Sequence, residues 1–488
     1  MNNMKRISFN TLVACASLLW FACFGGDTAA AATPAKPNII YFLIDDLGRC
    51  DVGFMGSPDI KTPNIDKLAA GGAKLEEFYV QPVCSPTRAA FMTGRYPMRH
   101  GLQVGVVRPW AQYGLPLEER TLPQALKEGG YTTAICGKWH LGHFQRAYLP
   151  TQRGFDHQYG HYNGALDYFT HIRDGGFDWH RDDQVCRDEG YSTFLLAKEA
   201  ARLIREQPRD KPLFLYVPFN GVHSPYHVPK NYEEPYAILP PARRTYAGMV
   251  AAVDEAIGQI IAAVDEKGLR QNTLIIFSSD NGGPNPGRIT SNGLFRAGKG
   301  TLYEGGVRVC AFAAWDGHIK PGSVVNQPLH MVDWYPTLLK LAGASLEQKP
   351  PLDGKDAWPT IAQGQPSPHS EILLNTAPTT GAIRVGNWKL VLNGQIAALE
   401  GEEGASVVTS PKGKKGRKAA GNKQAGDTVE LFNLAQDPYE KTNLAASQPG
   451  KVKELRARYD ALARQAVPPK SEAAVPGFKA PAVWGEQN

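Results

Sequence analysis

Asn38-Ile39-Ile40-Tyr41-Phe42-Leu43-Ile44-Asp45-Asp46 is the stretch from which the fold is read. It is a continuous apolar run that ends abruptly in two carboxylates. A run without polar alternation predicts a strand covered on both faces, as in a parallel sheet between helices. Three further runs have the same character, at 131–136, 212–217 and 272–277. Helical patterns lie between them, at Leu122–Glu128, Ser192–Glu206 and 246–267. Strands alternating with helices predict an α/β protein with a large, mostly parallel sheet sandwiched by helices. A further helical pattern follows at 330–341.

Beyond about residue 365 the pattern changes. Short segments at 382–385, Trp388–Leu392 and 428–432 read as antiparallel strands, and 449–466 as a closing helix. The expected organisation is a leader at 1–32, a catalytic domain at 33–365 and a small C-terminal α+β subdomain at 366–488. Residues 401–427 are polar, Gly-rich and basic, the composition of a flexible insertion. Six of the chain's positive charges lie there, at Lys412, Lys414, Lys415, Arg417, Lys418 and Lys423. The formal net charge is +6, and all six of these lie within 412–423, which has no acidic residue, so the chain outside that span sums to about zero. That argues against a nucleic-acid partner.

The N-terminus has the layout of a signal peptide: Lys5 and Arg6, then a short apolar stretch, then small residues at 27–32. It predicts export to the periplasm or the medium. The apolar stretch is too short for a stable membrane span, and no later apolar run is read as one. The seven cysteines leave five after the leader, an odd number for an exported chain. There is no C-x-x-C, which removes support for zinc-ribbon or thioredoxin-like chemistry.

Chemistry is expected at the carboxyl ends of the strands. The first strand runs into Asp45-Asp46 and the fourth into Asp280-Asn281. Three carboxylates and an amide form an all-oxygen set suited to Ca²⁺ or Mg²⁺ rather than zinc. In Cys84-Ser85-Pro86-Thr87-Arg88, the proline fits the first turn of a helix. Cys84 then stands at the positive end of the helix dipole, and Arg88 lies one turn further on. Lys138 and His140 follow the second strand and, two apart in extended chain, are expected to project together. His223 follows the third strand, and Lys299 lies between glycines past Asp280. Each motif alone equally suits a turn, a cap or a solvated charge. Together they suit stabilisation of a tetrahedral oxyanion ester. His161, Asp167 and Tyr168 lie in a loop-rich stretch suited to pocket walls.

Cys84-Ser85-Pro86-Thr87-Arg88, continued by Met92-Thr93-Gly94-Arg95, resembles the sulfatase signature for converting cysteine to formylglycine (3-oxoalanine). Gly137-Lys138-Trp139-His140-Leu141-Gly142 is similar to that family's second signature. The order of the remaining candidates also matches, from about Pro37 onward. With Arg153-Gly154-Phe155-Asp156, Tyr246-Ala247-Gly248-Met249-Val250, Glu304-Gly305-Gly306-Val307-Arg308 and the run from Ala382 to Lys389, the chain looks most like the arylsulfatase B type, the N-acetylgalactosamine-4-sulfatases. The resemblance implies an alkaline-phosphatase-like fold and hydrolysis of sulfate esters of a small molecule or saccharide. It implies catalytic roles for Cys84, Arg88, His140, His223 and Lys299. Sulfate would be bound by Lys138, His223 and Lys299, and Ca²⁺ by Asp45, Asp46, Cys84, Asp280 and Asn281. His223 or Lys299 would protonate the leaving oxygen. A formylglycine-generating maturation enzyme is an implied partner. Thr87 departs from the commoner serine. A phosphate-ester hydrolase of the same superfamily and a non-enzymatic glycan binder are the competing readings.

Overall fold

The opening run is a strand, Asn38–Ile44, buried at every position. It pairs in parallel with Leu213–Phe219 on one side and Thr273–Ser279 on the other. Leu213–Phe219 pairs in turn with Thr132–Lys138, again in parallel. Alternate residues of the first strand feed different cores. Ile39, Tyr41 and Leu43 belong to one apolar cluster, and Ile40, Phe42 and Ile44 to the other. This is why its sequence shows no polar alternation.

The computed structural model describes residues 36–377, 380–395, 428–473 and 476–486. Residues from Lys36 onward form one compact unit. The four parallel strands lie at the heart of a ten-stranded sheet. His157–His161 extends it in parallel. The outer strands include antiparallel pairings, through Ala311–Ala314 and Ala73–Leu75 on one side and His180–Arg181 and Gln184–Val185 on the other. The sheet is thus mixed, with a parallel centre. Most of these outer strands are too short to leave a periodic signal.

Helices Ser192–Glu206 and Pro241–Glu266 pack on one face, and Cys84–Thr93, Leu122–Glu128 and Trp334–Leu341 on the other. Leu122–Glu128 starts where predicted, because Thr121 and Gln124 form a capping box ahead of Pro123. Two boundaries differ from expectation. The long helix begins at Pro241, not 246, because a proline is tolerated at its first position. His330 ends a strand instead of starting a helix, and caps a short 3₁₀ turn. Among the described residues, only Pro241–Glu266 has the length and composition to cross a membrane, and most of it is buried in the core.

The C-terminal part is a four-stranded antiparallel sheet followed by the helix Pro449–Ala463. Its first strand, Glu371–Thr376, was not expected from sequence. The basic insertion falls outside the described residues. Leu373, Ile383, Leu390 and Leu431 join the same core as the large sheet.

A buried charge cluster also ties the two parts. Lys389 Nζ lies 2.8 Å from both Glu304 and Glu440. Glu440 accepts the Glu304 backbone N–H at 2.7 Å, and Glu304 accepts the Tyr79 hydroxyl at 2.8 Å. Burial and the neighbouring Glu304 charge push Glu440 up to about 7. Lys389→Met strands two carboxylates in the interior. It is expected to cost about 3–5 kcal/mol in chemical denaturation; a loss below about 1 kcal/mol contradicts the cluster's role. A raised carboxyl pKa stabilises below its unfolded value of 4.5, and that stabilisation is lost as pH rises through about 7. The fall in melting temperature from pH 5 to 8 is therefore expected to be shallower in Glu440→Gln than in the parent.

Candidate active site

Strand register builds the site. Ile44 pairs with Phe219 and with Ser279, so the next residues of all three strands emerge side by side. The Asp45 N–H donates to the Gly221 carbonyl at 3.0 Å, and the Asp280 N–H to that of Ile44 at 3.1 Å. Asp45, Asp46, Asp280 and Asn281 are all buried there. Asp46 has φ 59°, a left-handed turn that takes the chain out of the strand. Its backbone N–H donates to Asp280 Oδ1, and Asn281 Nδ2 donates to its carboxylate at 2.7 Å.

Cys84 is the first residue of the helix Cys84–Thr93, after the extended Val83. Its Sγ lies 3.3 Å from Asp45 Oδ1 and 3.5 Å from Asn281 Oδ1. The thiol therefore sits inside the oxygen cluster. Arg88, one turn on, donates to Asp280 Oδ2 at 2.8 Å and to the Lys138 carbonyl at 3.1 Å. The Thr87 hydroxyl both donates to and accepts from the Gln81 backbone, which closes the turn before the helix. Any β-hydroxyl residue at 87 can make that bridge.

Lys138 ends its strand fully buried, with Nζ on Asp45. His140 does not share a face with it by strand alternation, because the strand stops and His140 adopts φ 57°. Three contacts hold it instead. Ser85 Oγ donates to its carbonyl at 2.9 Å, its Nε2 lies 3.0 Å from the Val107 carbonyl, and its ring packs on Gly164. A Cβ at 164 would come within 2.5 Å of the imidazole, so only glycine fits. A carbonyl accepts only, so Nε2 carries the proton and Nδ1 keeps its lone pair. Nδ1 is buried with no hydrogen-bond partner among the described residues.

Lys299 Nζ donates to Asp46 Oδ2 at 3.0 Å and lies 3.2 Å from His223 Nε2. Its loop is fastened beside the cysteine, since the Gly300 N–H donates to the Pro82 carbonyl at 2.8 Å. His223 is steadied from behind by Tyr168, whose hydroxyl lies 2.7 Å from the Asn220 carbonyl and 2.8 Å from that of His223. Asp45, Asp46, Cys84 and His223 offer ligand atoms within 4.8 Å of one another. All ten residues singled out in the sequence thus converge. Of the expected pocket walls, Tyr168 braces the site, His161 pairs with Lys138 along the sheet, and Asp167 is occupied in its own turn. Ser85 and Val107, which hold His140, were not anticipated. Val107 carries no chemical signal, because it acts through its backbone.

Burial and the Asp280 charge push Asp45 up to about 7, against the pull of Lys138 and Arg88. Asp280 is held below its usual range by Arg88, Lys138 and Lys299, against its burial. Burial, with the Asp280 and Asp45 charges, raises the Cys84 thiol well above its usual value. Burial, with Lys138 and Arg88, keeps His140 neutral. The encoded thiol is thus held protonated here, and the His140 imidazole uncharged. The oxygen-rich donor set fits a hard divalent cation.

A cluster of buried carboxylates and cations at the carboxyl edge of a parallel sheet is where an α/β enzyme places its ligand site. Residues 37–344 match the sulfatase family model, and the chain belongs to the sulfatase family. It is a sulfuric ester hydrolase. It is 38% identical to arylsulfatase J of Mus musculus, over 94% of this chain and 81% of that protein. Arylsulfatase A of Homo sapiens is 34% identical, with 88% and 87% covered. Among solved structures, Ps i-CgsB in complex with k-i-k-neocarrahexaose superposes with a TM-score of 0.76 at 31% identity, covering 89% of this chain and 94% of that one. The phosphonate monoester hydrolase of Agrobacterium radiobacter shares the fold, with a TM-score of 0.61 at 21% identity, covering 88% and 96%.

Tyr168→Phe tests the bracing of His223. Removing the hydroxyl takes away the one O–H shared by the buried Asn220 and His223 carbonyls, at a cost of about 1–3 kcal/mol. The loosened His223 is expected to lower kcat/KM on an aryl sulfate about ten- to hundredfold. Unchanged kinetics would contradict the bracing role.

Proposed function

We propose that this chain releases sulfate from a sulfated saccharide, acting from a chain end, with a formylglycine made from Cys84 and a bound Ca²⁺. The observation that carries this reading is the position of Cys84 Sγ within the Asp45–Asn281 oxygen cluster, at a helix N-terminus. A sulfur atom there stands where the formylglycine side chain would be. As its hydrate, that group supplies one hydroxyl to attack sulfur and a second whose deprotonation later expels sulfate. Asp45, Asp46, Asp280 and Asn281 would hold the cation, which supplies charge neutralisation and orientation of the ester.

The protein's own groups divide the remaining work. Three buried carboxylates face Arg88, Lys138 and Lys299, so the site by itself has little positive charge to spare for an anion. A divalent cation on the carboxylates leaves the Lys138 and Lys299 charges for the ester oxygens, a preorganised clamp. Arg88, bonded to Asp280, steadies the nucleophile's helix against the metal-binding strand end. His140 Nδ1 takes a proton from the nucleophile residue. His223 Nε2 and Lys299 Nζ, 3.2 Å apart, share the proton delivered to the leaving oxygen.

The substrate class rests on relatives. The N-acetylgalactosamine-6-sulfatase of Mus musculus is 35% identical over 74% of this chain and 72% of that protein. Ps i-CgsB was solved in complex with k-i-k-neocarrahexaose. N-acetylgalactosamine 4-sulfate is our first candidate, with the 6-sulfate as its comparator. The proposal includes export and maturation by a formylglycine-generating enzyme in the producing cell.

Peptide mass spectrometry of the active enzyme is expected to show aldehyde or its hydrate at position 84. An intact thiol in fully active protein overturns the reading. Cys84→Ala and Cys84→Ser are each expected to abolish multiple turnover, because neither offers two hydroxyls on one carbon. Full turnover by either contradicts the mechanism.

A further inference from the structure

Three aromatic rings outside the catalytic cluster form a continuous face beside it. Trp110 and Phe478 meet edge to face at 6.2 Å, and Phe478 stacks with Trp484 at 6.2 Å. Trp484 is buried against His143, with ring centroids 5.2 Å apart. Phe478 remains 39% exposed and Trp110 half-buried. An exposed phenylalanine in a chain segment without regular structure gains little from folding alone. Here its position is nevertheless fixed on both sides. Trp110 Nε1 donates to the Glu472 carbonyl at 3.1 Å, and the Gln112 N–H to the Glu472 carboxylate at 2.9 Å. On the far side, Trp484 Nε1 donates to the Arg173 carbonyl at 2.9 Å, while Phe177 and the 482–484 segment exchange backbone bonds.

The face is continuous with the site. Trp110 lies three residues after Val107, about 10 Å of chain at most. Val107 donates its N–H to Ser85 Oγ at 3.0 Å and accepts from His140 Nε2 at 3.0 Å. His143, under Trp484, lies three residues after His140, and its Nε2 lies 3.1 Å from the Pro109 carbonyl. The loop that aims the base therefore also carries the first ring, and the base's own segment supports the last. Arg108 stands between Val107 and Trp110.

We infer that Trp110 and Phe478, backed by Trp484, form a subsite for the sugar ring next to the sulfated one. This rests on the saccharide reading above. A pyranose presents an apolar face of C–H groups, slightly positive, which suits the negative face of an aromatic ring. Such a platform binds the ring without reading its hydroxyl pattern in detail. It adds affinity for an oligosaccharide and nothing for a monosaccharide.

The test compares sulfated tetrasaccharides of chondroitin, dermatan and carrageenan with their matching sulfated monosaccharides and with 4-methylumbelliferyl sulfate. The parent enzyme is expected to prefer its best tetrasaccharide over the monosaccharide by about tenfold or more in kcat/KM. Trp110→Ala and Phe478→Ala should each remove most of that preference through KM, and leave the two small substrates within about twofold. Trp110→Phe, which keeps a ring, should retain most of it. Phe478→Ala touches no hydrogen bond, so it separates recognition from folding if Trp110→Ala is unstable. Equal losses on large and small substrates, or no tetrasaccharide preference in the parent, overturn the subsite alone. Failure of the parent to release sulfate from any substrate overturns the saccharide reading and the subsite with it.

Discussion

Three buried carboxylates set against three buried cations are the constraint around which this molecule is organised. Asp45, Asp46 and Asp280 gather where two neighbouring strands stop, with Lys138, Arg88 and Lys299 drawn onto them. The six charges come from five places in the chain: two strand ends for the acids, and a third strand end, a helix and a loop for the bases. Isolated charges at such depth would be prohibitively costly. The parallel sheet supplies the precision, because its register fixes the level of every strand end. The two apolar cores on either side of Asn38–Ile44 hold that register in place.

The outer parts of the molecule serve the same cluster. Lys299 is carried by a loop pinned to Pro82, and the following residues bond to the C-terminal sheet, where the Leu302 N–H donates to the Gly394 carbonyl. Lys389 and Glu304 anchor that junction. His140 is held by a loop that passes from Val107 to Trp110, and so to Glu472 and Phe478. On the proposed reading, recognition of a saccharide and orientation of the base share one stretch of backbone.

Much of this was legible in the sequence where chemistry and periodicity coincide. The apolar run 38–44 declared both its strand and its double burial, and the acids that follow declared the site. Cys84, Arg88, Lys138, His223 and Lys299 carry side chains whose purpose is visible from their types and neighbours. The outer antiparallel strands were not legible, because two- or three-residue segments such as His180–Arg181 have no period to detect. The placement of His140 was anticipated for the wrong reason. Strand alternation was expected to bring it beside Lys138, whereas a left-handed turn and contacts from Ser85, Val107 and Gly164 do so. Val107 acts through its backbone, and Trp110 and Phe478 lie 368 residues apart in the chain. No local pattern connects them.

The oxygen cluster is proposed as a site for a hard cation, and the chemistry depends on it. Its most direct measurement is calcium binding by chelator-treated protein, followed by elemental analysis and calorimetry, with Asp280→Asn alongside. About one equivalent of Ca²⁺ is expected to bind the parent and raise its melting temperature, with binding weakened at least about tenfold in the variant. Parent protein that binds no calcium and yet hydrolyses sulfate esters at full rate would contradict it.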